Sequence, residues 1–231
     1  FIEAFIAVAK IGGVVVPLNW RLVADELEFI IKDSGAETLI YGQAFQTIIG
    51  DLQGRGEKTD VRHWLEVAGA EPCLDFATDY AALCAQGDVS EPEVSASGDD
   101  LLYIMYTSGT TGFPKGVMHN HIMVRLIEER AFRMSINEND TILNYLPLFH
   151  LFSYSEGALM SMITGARQVI TETFVADECM QLIEKEKCSI IHGFETHLKD
   201  MMEAQERHRV DISTLRTGLF ACGMKSSIHT C

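Results

Sequence analysis

The chain has 231 residues, a formal net charge of −15, 47% apolar residues and 22% charged residues. That length is ample for a buried core, and the composition is that of a folded globular protein rather than a disordered one. The acidic balance excludes a nucleic-acid or anionic-membrane surface, which needs basic patches to neutralise phosphate, but it permits an anion held in a local pocket.

At the start, Ile2, Phe5, Ile6 and Ala9 share one helical face, which predicts a helix from Phe1 to Lys10 closing on Gly12 and Gly13. "VVVP" follows and reads as a short buried strand. "ADELEFIIKDSGAETLIYG" predicts a helix with Leu27, Ile30 and Ile31 inward, a stop at Gly35, and the strand "TLIY". Between Asp51 and Asp60 the pattern dissolves into glycine and charge. "GDVSEPEVSASGDD", from Gly87 to Asp100, is acidic, small and unpatterned, so a solvated connector is expected there.

"LLYIMYTS" is a strong strand, and its end is where a glycine-rich run begins. "GVMHNHIMVRLIEERAFRM" predicts a strand and a helix, and "TILNYLPLFH" another strand. "LFSYSEGALMSMITGA" predicts a helix ending at Gly165, and "RQVI" a strand. "DECMQLIEKEKC", "SIIHG", "ETHLKDMMEAQERH" and "LRTGLFACG" continue the alternation. Helix and strand in turn predict an α/β fold with mainly parallel sheets layered with helices. Residues 1–86 form a first α/β portion, 87–100 an acidic linker, and 101–231 a second portion.

The six cysteines, Cys73, Cys84, Cys179, Cys188, Cys222 and Cys231, include no pair at the two-residue spacing of a metal or redox motif. Free thiols in a reducing compartment are expected, and no apolar run reaches the roughly 18–20 residues of a membrane span. A soluble, cytoplasmic protein is the resulting expectation. Phe1 already lies in helical spacing and Cys231 follows directly on a strand, so the chain is expected to be a piece of something longer.

"TSGTTGFPKG" is the part of the chain densest in unusual choices. Gly109, Gly112 and Gly116 allow backbone angles closed to other residues and let amides approach a ligand. Thr107, Ser108, Thr110 and Thr111 add hydroxyls, and such donors on a loop leaving a strand make a nest for anionic oxygens. Lys115 adds a point charge suited to phosphate, and Pro114 stiffens the turn beside it. A Walker loop would need Gly-Lys-Ser/Thr, whereas Lys115 here stands between Pro114 and Gly116. His119 and His121 are too few to make a metal site, and they are expected where the following strand turns into a helix.

"YTSGTTGFPKGVMH" resembles the phosphate-loop signature of the adenylate-forming (AMP-binding) superfamily, which includes acyl-CoA synthetases, aryl-CoA ligases, luciferases and peptide-synthetase adenylation domains. "AKIGGVVVPLNWRL", "LPLFHLFSYSEG", and "HGFETHLKDM" followed by "LRTGLFACG" are similar to further family segments in the same order. The resemblance covers essentially the whole chain and implies an incomplete large N-terminal domain of the adenylate-forming fold. The portion 101–231 would then hold the phosphate loop and the acyl pocket.

The activity implied is ATP-dependent activation of a carboxylic acid, fatty or aromatic, to an acyl-adenylate, followed by thioesterification to coenzyme A. Thr107, Ser108, Gly109, Thr110, Thr111, Gly112 and Lys115 would surround the β- and γ-phosphates of ATP. His150, the catalytic candidate, would lie beside the carboxylate and the α-phosphate. Phe149 and Phe152 would be pocket walls; His192, Gly193 and Phe194 are candidates for the same wall, with a plain core strand as the alternative. Ala221, Cys222 and Gly223 would meet the adenine, although Met224 and Lys225 depart from the family's small-residue and proline choices. The Mg²⁺-binding motif, the ribose aspartate, the hinge and the C-terminal lysine-bearing domain would all lie beyond Cys231, leaving this piece inactive by itself. A domain that loads a carrier protein and a non-catalytic nucleotide-binding module are the alternatives.

Overall fold

In the computed structural model, residues 1–56, 59–94, 96–107 and 114–221 are described. They fall into two compact units, one of Glu3–Asn120 and one of His121–Cys231 with Phe1–Ile2.

In the first unit the 3.6-residue spacing at the N-terminus folds as helix α1, Ile2–Lys10, with Phe5 only 2% exposed. Phe5 meets Tyr103 edge-on at 5.7 Å. Helix α2, Ala24–Ser34, buries Leu27, Ile30 and Ile31, and ends at Gly35 in the left-handed region. Strand β1, Thr38–Gly42, helix α3, Gln46–Gly54, strand β2, His63–Val67, strand β3, Thr78–Asp79, and helix α4, Tyr80–Ala85, follow. Strands β1, β2 and β3 form a parallel sheet in that order. Its core joins Leu27 and Ile31 of α2 to Leu39, Tyr41, Ile49 and Leu52, with Trp64 and Phe76 packed against them.

Two expectations change here. "VVVP" is no full strand: Val15 alone bridges to Tyr103, because Gly13 and Pro17 leave too few residues between them to extend the ladder. The stretch from Asp51 is helical as far as Gly54, because Ile49 and Leu52 supply a buried face that the surrounding glycines and charges disguise. Arg55 at its end ties Asp25, Glu28 and Asp51 together.

Strands β4, Leu101–Thr107, and β5, Lys115–Asn120, pair antiparallel as a hairpin. The second unit continues with helix α5, Ile122–Arg133, and strand β6, Thr141–Asn144. Strand β6 is shorter than "TILNYLPLFH" suggests, since Pro147 cannot extend a ladder and the chain turns there. The helical stretch that follows widens into a π-helix over Ser153–Leu159 and narrows into α6, Met160–Thr164, which stops at Gly165.

Strand β7, Arg167–Ile170, helix α7, Ala176–Glu186, strands β8, Ile190–Ile191, and β9, Gly193–Phe194, helix α8, Glu195–His208, and strand β10, Phe220–Ala221, complete the unit. Strands β7, β6 and β8 make a parallel sheet in that order, and β9 pairs parallel with β10. Leu143 and Ile191 of the sheet pack with Cys179, Met180 and Ile183 of α7 and Met201 of α8 in one buried cluster. Behind it, Asp140 accepts from Ser189 Oγ at 2.7 Å and from Arg216 Nε at 2.8 Å, fastening the loop after α5 to the segment that leads into β10. Arg216 and Ser189 hold the Asp140 carboxyl below the usual carboxylate range.

Candidate functional site

The glycine-rich run lies in the sequence between β4 and β5. Thr107 and Lys115 are the last paired residues before it, directly opposite one another, and both are exposed. A hydroxyl and an ammonium therefore flank the loop's two roots. Ser108, Gly109, Thr110, Thr111 and Gly112 lie outside the described residues.

The roots are braced from below. Tyr106 donates its hydroxyl to Asp33 Oδ2 of α2 at 2.6 Å, and burial together with that bond raises the phenol's pKa. Opposite Tyr106 stands Gly116, where a Cβ would fall 2.7 Å from Ile104 Cγ2 and 3.1 Å from the Tyr106 ring. Only a glycine at that position lets the ring cross β5. His119 lies within β5, stacked on Tyr103 at 4.6 Å, and burial lowers its pKa. His121 immediately precedes α5, at the turn where the sequence places it.

The second group of candidates belongs to the other unit. After β6 the chain turns at Pro147, where His150 N–H donates to the Pro147 carbonyl at 2.9 Å. His150 begins the next helical stretch: its carbonyl accepts from Tyr154 N–H, and its Nδ1 accepts from Phe152 N–H at 3.3 Å. The imidazole thus does what a capping oxygen does at a helix start. With Nδ1 accepting, the neutral ring carries its proton on Nε2 as a donor. His150 is exposed as a residue, yet its ring is desolvated enough for its pKa to fall below the ordinary value, which favours that neutral form.

Aromatic rings gather round it. Phe194 lies 6.2 Å from His150 and 5.6 Å from Phe152, and Phe152 lies 6.2 Å from His192. Four of the candidates named from sequence, His150, Phe152, His192 and Phe194, are therefore neighbours. Phe149 sits half-buried in the turn before them. Gly193 is buried where a Cβ would meet Tyr145 Oη at 2.3 Å, so the missing side chain is what allows Tyr145 to reach β9. Ala221 is exposed at the end of β10, opposite Phe194, while Cys222 and Gly223 lie outside the described residues.

His197 and Glu156, polar groups near this wall, do not stand out from the sequence. His197 Nδ1 accepts from Phe194 N–H at 3.3 Å, fixing the start of α8. Glu156, one turn past Phe152, is buried in the π-helix and accepts from Arg130 of α5 and from Ser155 Oγ. Burial raises its pKa against the opposing pull of Arg130 and Ser155. A lone acid inside the apolar run "YSEGALM" is the signal that would have marked it.

The α/β framework of parallel sheets thus presents an exposed Thr107 and an exposed Lys115 at the two ends of the glycine-rich run. The family model described as "AMP-binding enzyme" matches residues 1–231, and the chain belongs to that family. It is 33% identical over 214 residues to a long-chain-fatty-acid–CoA ligase, FadD13, of Mycobacterium tuberculosis, a match covering 92% of this chain and 40% of that protein. It is 29% identical over 232 residues to the medium-chain fatty-acid–CoA ligase of Escherichia coli K12, covering 96% of this chain and 40% of that protein. Among solved structures, the inhibitor-bound N-terminal domain of FACL13 from M. tuberculosis superposes with a TM-score of 0.82 at 31% identity, over 94% of this chain and 52% of that one. The fold is thus that of the N-terminal domain of adenylate-forming enzymes, and the chain spans about 40% of the length of the curated relatives it matches. Among the described residues no helix is long and apolar enough to cross a membrane.

Proposed function

We propose that this chain carries the phosphate loop and the acyl wall of a carboxylic-acid–CoA ligase. The reaction joins a fatty or aromatic carboxylate to the α-phosphate of ATP, releases pyrophosphate, and then transfers the acyl group from the adenylate to the thiol of coenzyme A. Attack of one anion on another needs charge screening and in-line positioning, both of which fixed donors supply. Thr107, Lys115 and the residues between them serve the β- and γ-phosphates. His150 offers Nε2–H to an oxygen of the carboxylate or the α-phosphate, while Phe149, Phe152 and Phe194 wall the acyl chain away from water.

The observation that carries this reading is the grouping of His150, Phe152, His192 and Phe194 in a chain whose relatives bear CoA-ligase names. Mg²⁺ would accompany ATP. Among the described residues no three His, Cys, Asp or Glu side chains stand close enough together to hold a metal ion. With its matched relatives so much longer, the 231-residue polypeptide by itself is expected to turn over little.

ATP–pyrophosphate exchange in the full-length protein tests the reading. Acid-dependent exchange is expected, and Lys115→Ala should weaken ATP use about 10²-fold, the usual scale for loss of one charge-stabilising donor. Exchange that is unchanged by Lys115→Ala, or that needs no carboxylic acid, would overturn it. Residues Phe1–Cys231 expressed alone should exchange little; turnover at ~1–10³ s⁻¹ would show that this portion suffices.

A further inference from the structure

One face of the β7–β6–β8 sheet packs on α7 and α8, and the opposite face carries Ile142 and Ile190 together with Asn144 and Gln168. Side chains alternate along a strand. Leu143 and Ile191 point into the apolar cluster with α7 and α8, so Asn144 faces the other way, and His192 follows directly on β8. On that side Asn144 Oδ1 accepts from Ser153 Oγ of the π-helix at 2.8 Å. Burial, and after it the charge of Arg130 from α5, lowers the His192 pKa.

Among the described residues, Glu156 Oε2 and His192 Nε2 are buried without a partner, as is Gln168 Nε2 on the strand beside them. Glu156 is 1% exposed; its Oε1 takes Arg130 and Ser155, while its Oε2 is buried with no hydrogen bond among the described residues. His192 is 4% exposed; its Nδ1 accepts from Leu219 N–H at 3.1 Å, which leaves the neutral ring's proton on Nε2, also buried without a partner. Buried polar groups are nearly always satisfied, so an orphaned acceptor and an orphaned donor that share Arg130 and Phe152 as neighbours call for an occupant. The π-helix that delivers Glu156 is a rare distortion found chiefly at functional sites.

Phe152 connects these groups to the acyl wall, being four residues before Glu156 and 6.2 Å from the His192 ring. The chemistry of an occupant follows from the two atoms. It must donate to Glu156 Oε2 and accept from His192 Nε2–H, and it should be uncharged, because Arg130 already balances Glu156. An ammonium has no lone pair for His192, and a carboxylate would face the bare Oε2. A hydroxyl does both.

We propose that the acyl site ends at these polar groups and takes a hydroxyl-bearing acid, its hydroxyl held between Glu156 Oε2 and His192 Nε2–H. The inference rests on the acid-activation reading above and narrows its substrate. A site built to hydrogen-bond a hydroxyl discriminates strongly against the analogue lacking it, because its polar atoms are then left unpaired.

The test is acid-dependent ATP–pyrophosphate exchange in the full-length protein, with hydroxy fatty acids and hydroxyaryl acids each compared with its deoxy counterpart. The wild type should favour one hydroxy acid over its counterpart by about 10²-fold or more in kcat/KM, and which pair does so separates an alkyl from an aryl carrier. Glu156→Gln replaces the acceptor with an amide of similar shape. His192→Asn keeps an acceptor for Leu219 N–H and deletes the Nε2 donor. Each should lower the preference at least ~10-fold, and the double variant should lower it little further, since both atoms hold one hydroxyl. Urea midpoints of the variants show whether each is folded. Equal or better use of the deoxy acids by the wild type overturns the inference and assigns the two atoms to structural water. Effects of the two substitutions that multiply overturn it as well. No exchange with any acid defeats the acid-activation reading and this inference together, whereas exchange confined to deoxy acids defeats this inference alone.

Discussion

His150 owes its working tautomer to a backbone amide. The Phe152 N–H occupies Nδ1, the desolvated ring resists a second proton, and Nε2–H remains as a neutral donor at the end of the aromatic wall. Protonation would place a hydrogen on Nδ1 against the Phe152 N–H and turn the ring away. In the proposed reaction, kcat for pyrophosphate exchange should therefore be level from pH 8 down past the ordinary histidine pKa near ~6.5. It should decline only below that, as the lowered pKa of His150 is reached. His150→Ala should lower kcat roughly 10²–10³-fold with little change in the KM for ATP, as for loss of a single preorganised donor. An ATP KM that rises in step with the loss of kcat would mean that His150 serves nucleotide binding instead.

At the scale of elements, the β4–β5 hairpin is tied, close to where the glycine-rich run leaves it, by the long-range contact of Tyr106 with Asp33 of α2. The bond lies near the surface, so its net worth is about 1 kcal/mol. Its positional effect should exceed its energetic one. Tyr106→Phe is expected to move the urea midpoint only slightly and to raise the KM for ATP several-fold; an unchanged KM would reduce the contact to ordinary bracing. Nothing in the sequence pointed to Asp33, because a pairing between residues 33 and 106 has no local signature. By contrast, the helix buried on Leu27, Ile30 and Ile31, the strand that leads into the glycine-rich run, and the alternation of strand with helix were legible, since each rests on spacing. Helix α3 was missed because its buried face amounts to Ile49 and Leu52 among glycines and polar residues. The strand expected from "VVVP" shrank to one bridge because Gly13 and Pro17 leave too few residues between them to extend a ladder. His150, Phe152, His192 and Phe194 could be named from motif segments. Arg130 and Glu156 could not be paired, since α5 and the π-helix meet only in the fold.

For the whole molecule, acidification sets two tendencies against each other. A chain of net charge −15 loses self-repulsion as the pH approaches its isoelectric point near 4.8, which favours the compact state. Glu156 acts in the same direction, because burial raises its pKa and protonation relieves the buried charge. The histidines act oppositely. His192 is held to about 4 by burial and then by Arg130, and His119, His150 and His197 are also lowered by burial. Above the ordinary value of ~6.5 such a histidine is neutral whether folded or not, and its site is fully stable; below that the unfolded chain takes a proton that the native state refuses. For His192 the resulting loss runs from pH ~6.5 down to about 4, and over the whole window it is on the order of 3 kcal/mol. Because charge relief and Glu156 mask this slope in the wild type, the informative quantity is the difference from His192→Asn, which removes one titration and leaves the others. Urea unfolding at pH 7.5 and pH 5 should show the variant closing part of its gap to wild type as the pH falls. A gap that stays constant between the two would mean that His192 protonates as readily in the folded protein as in the unfolded chain.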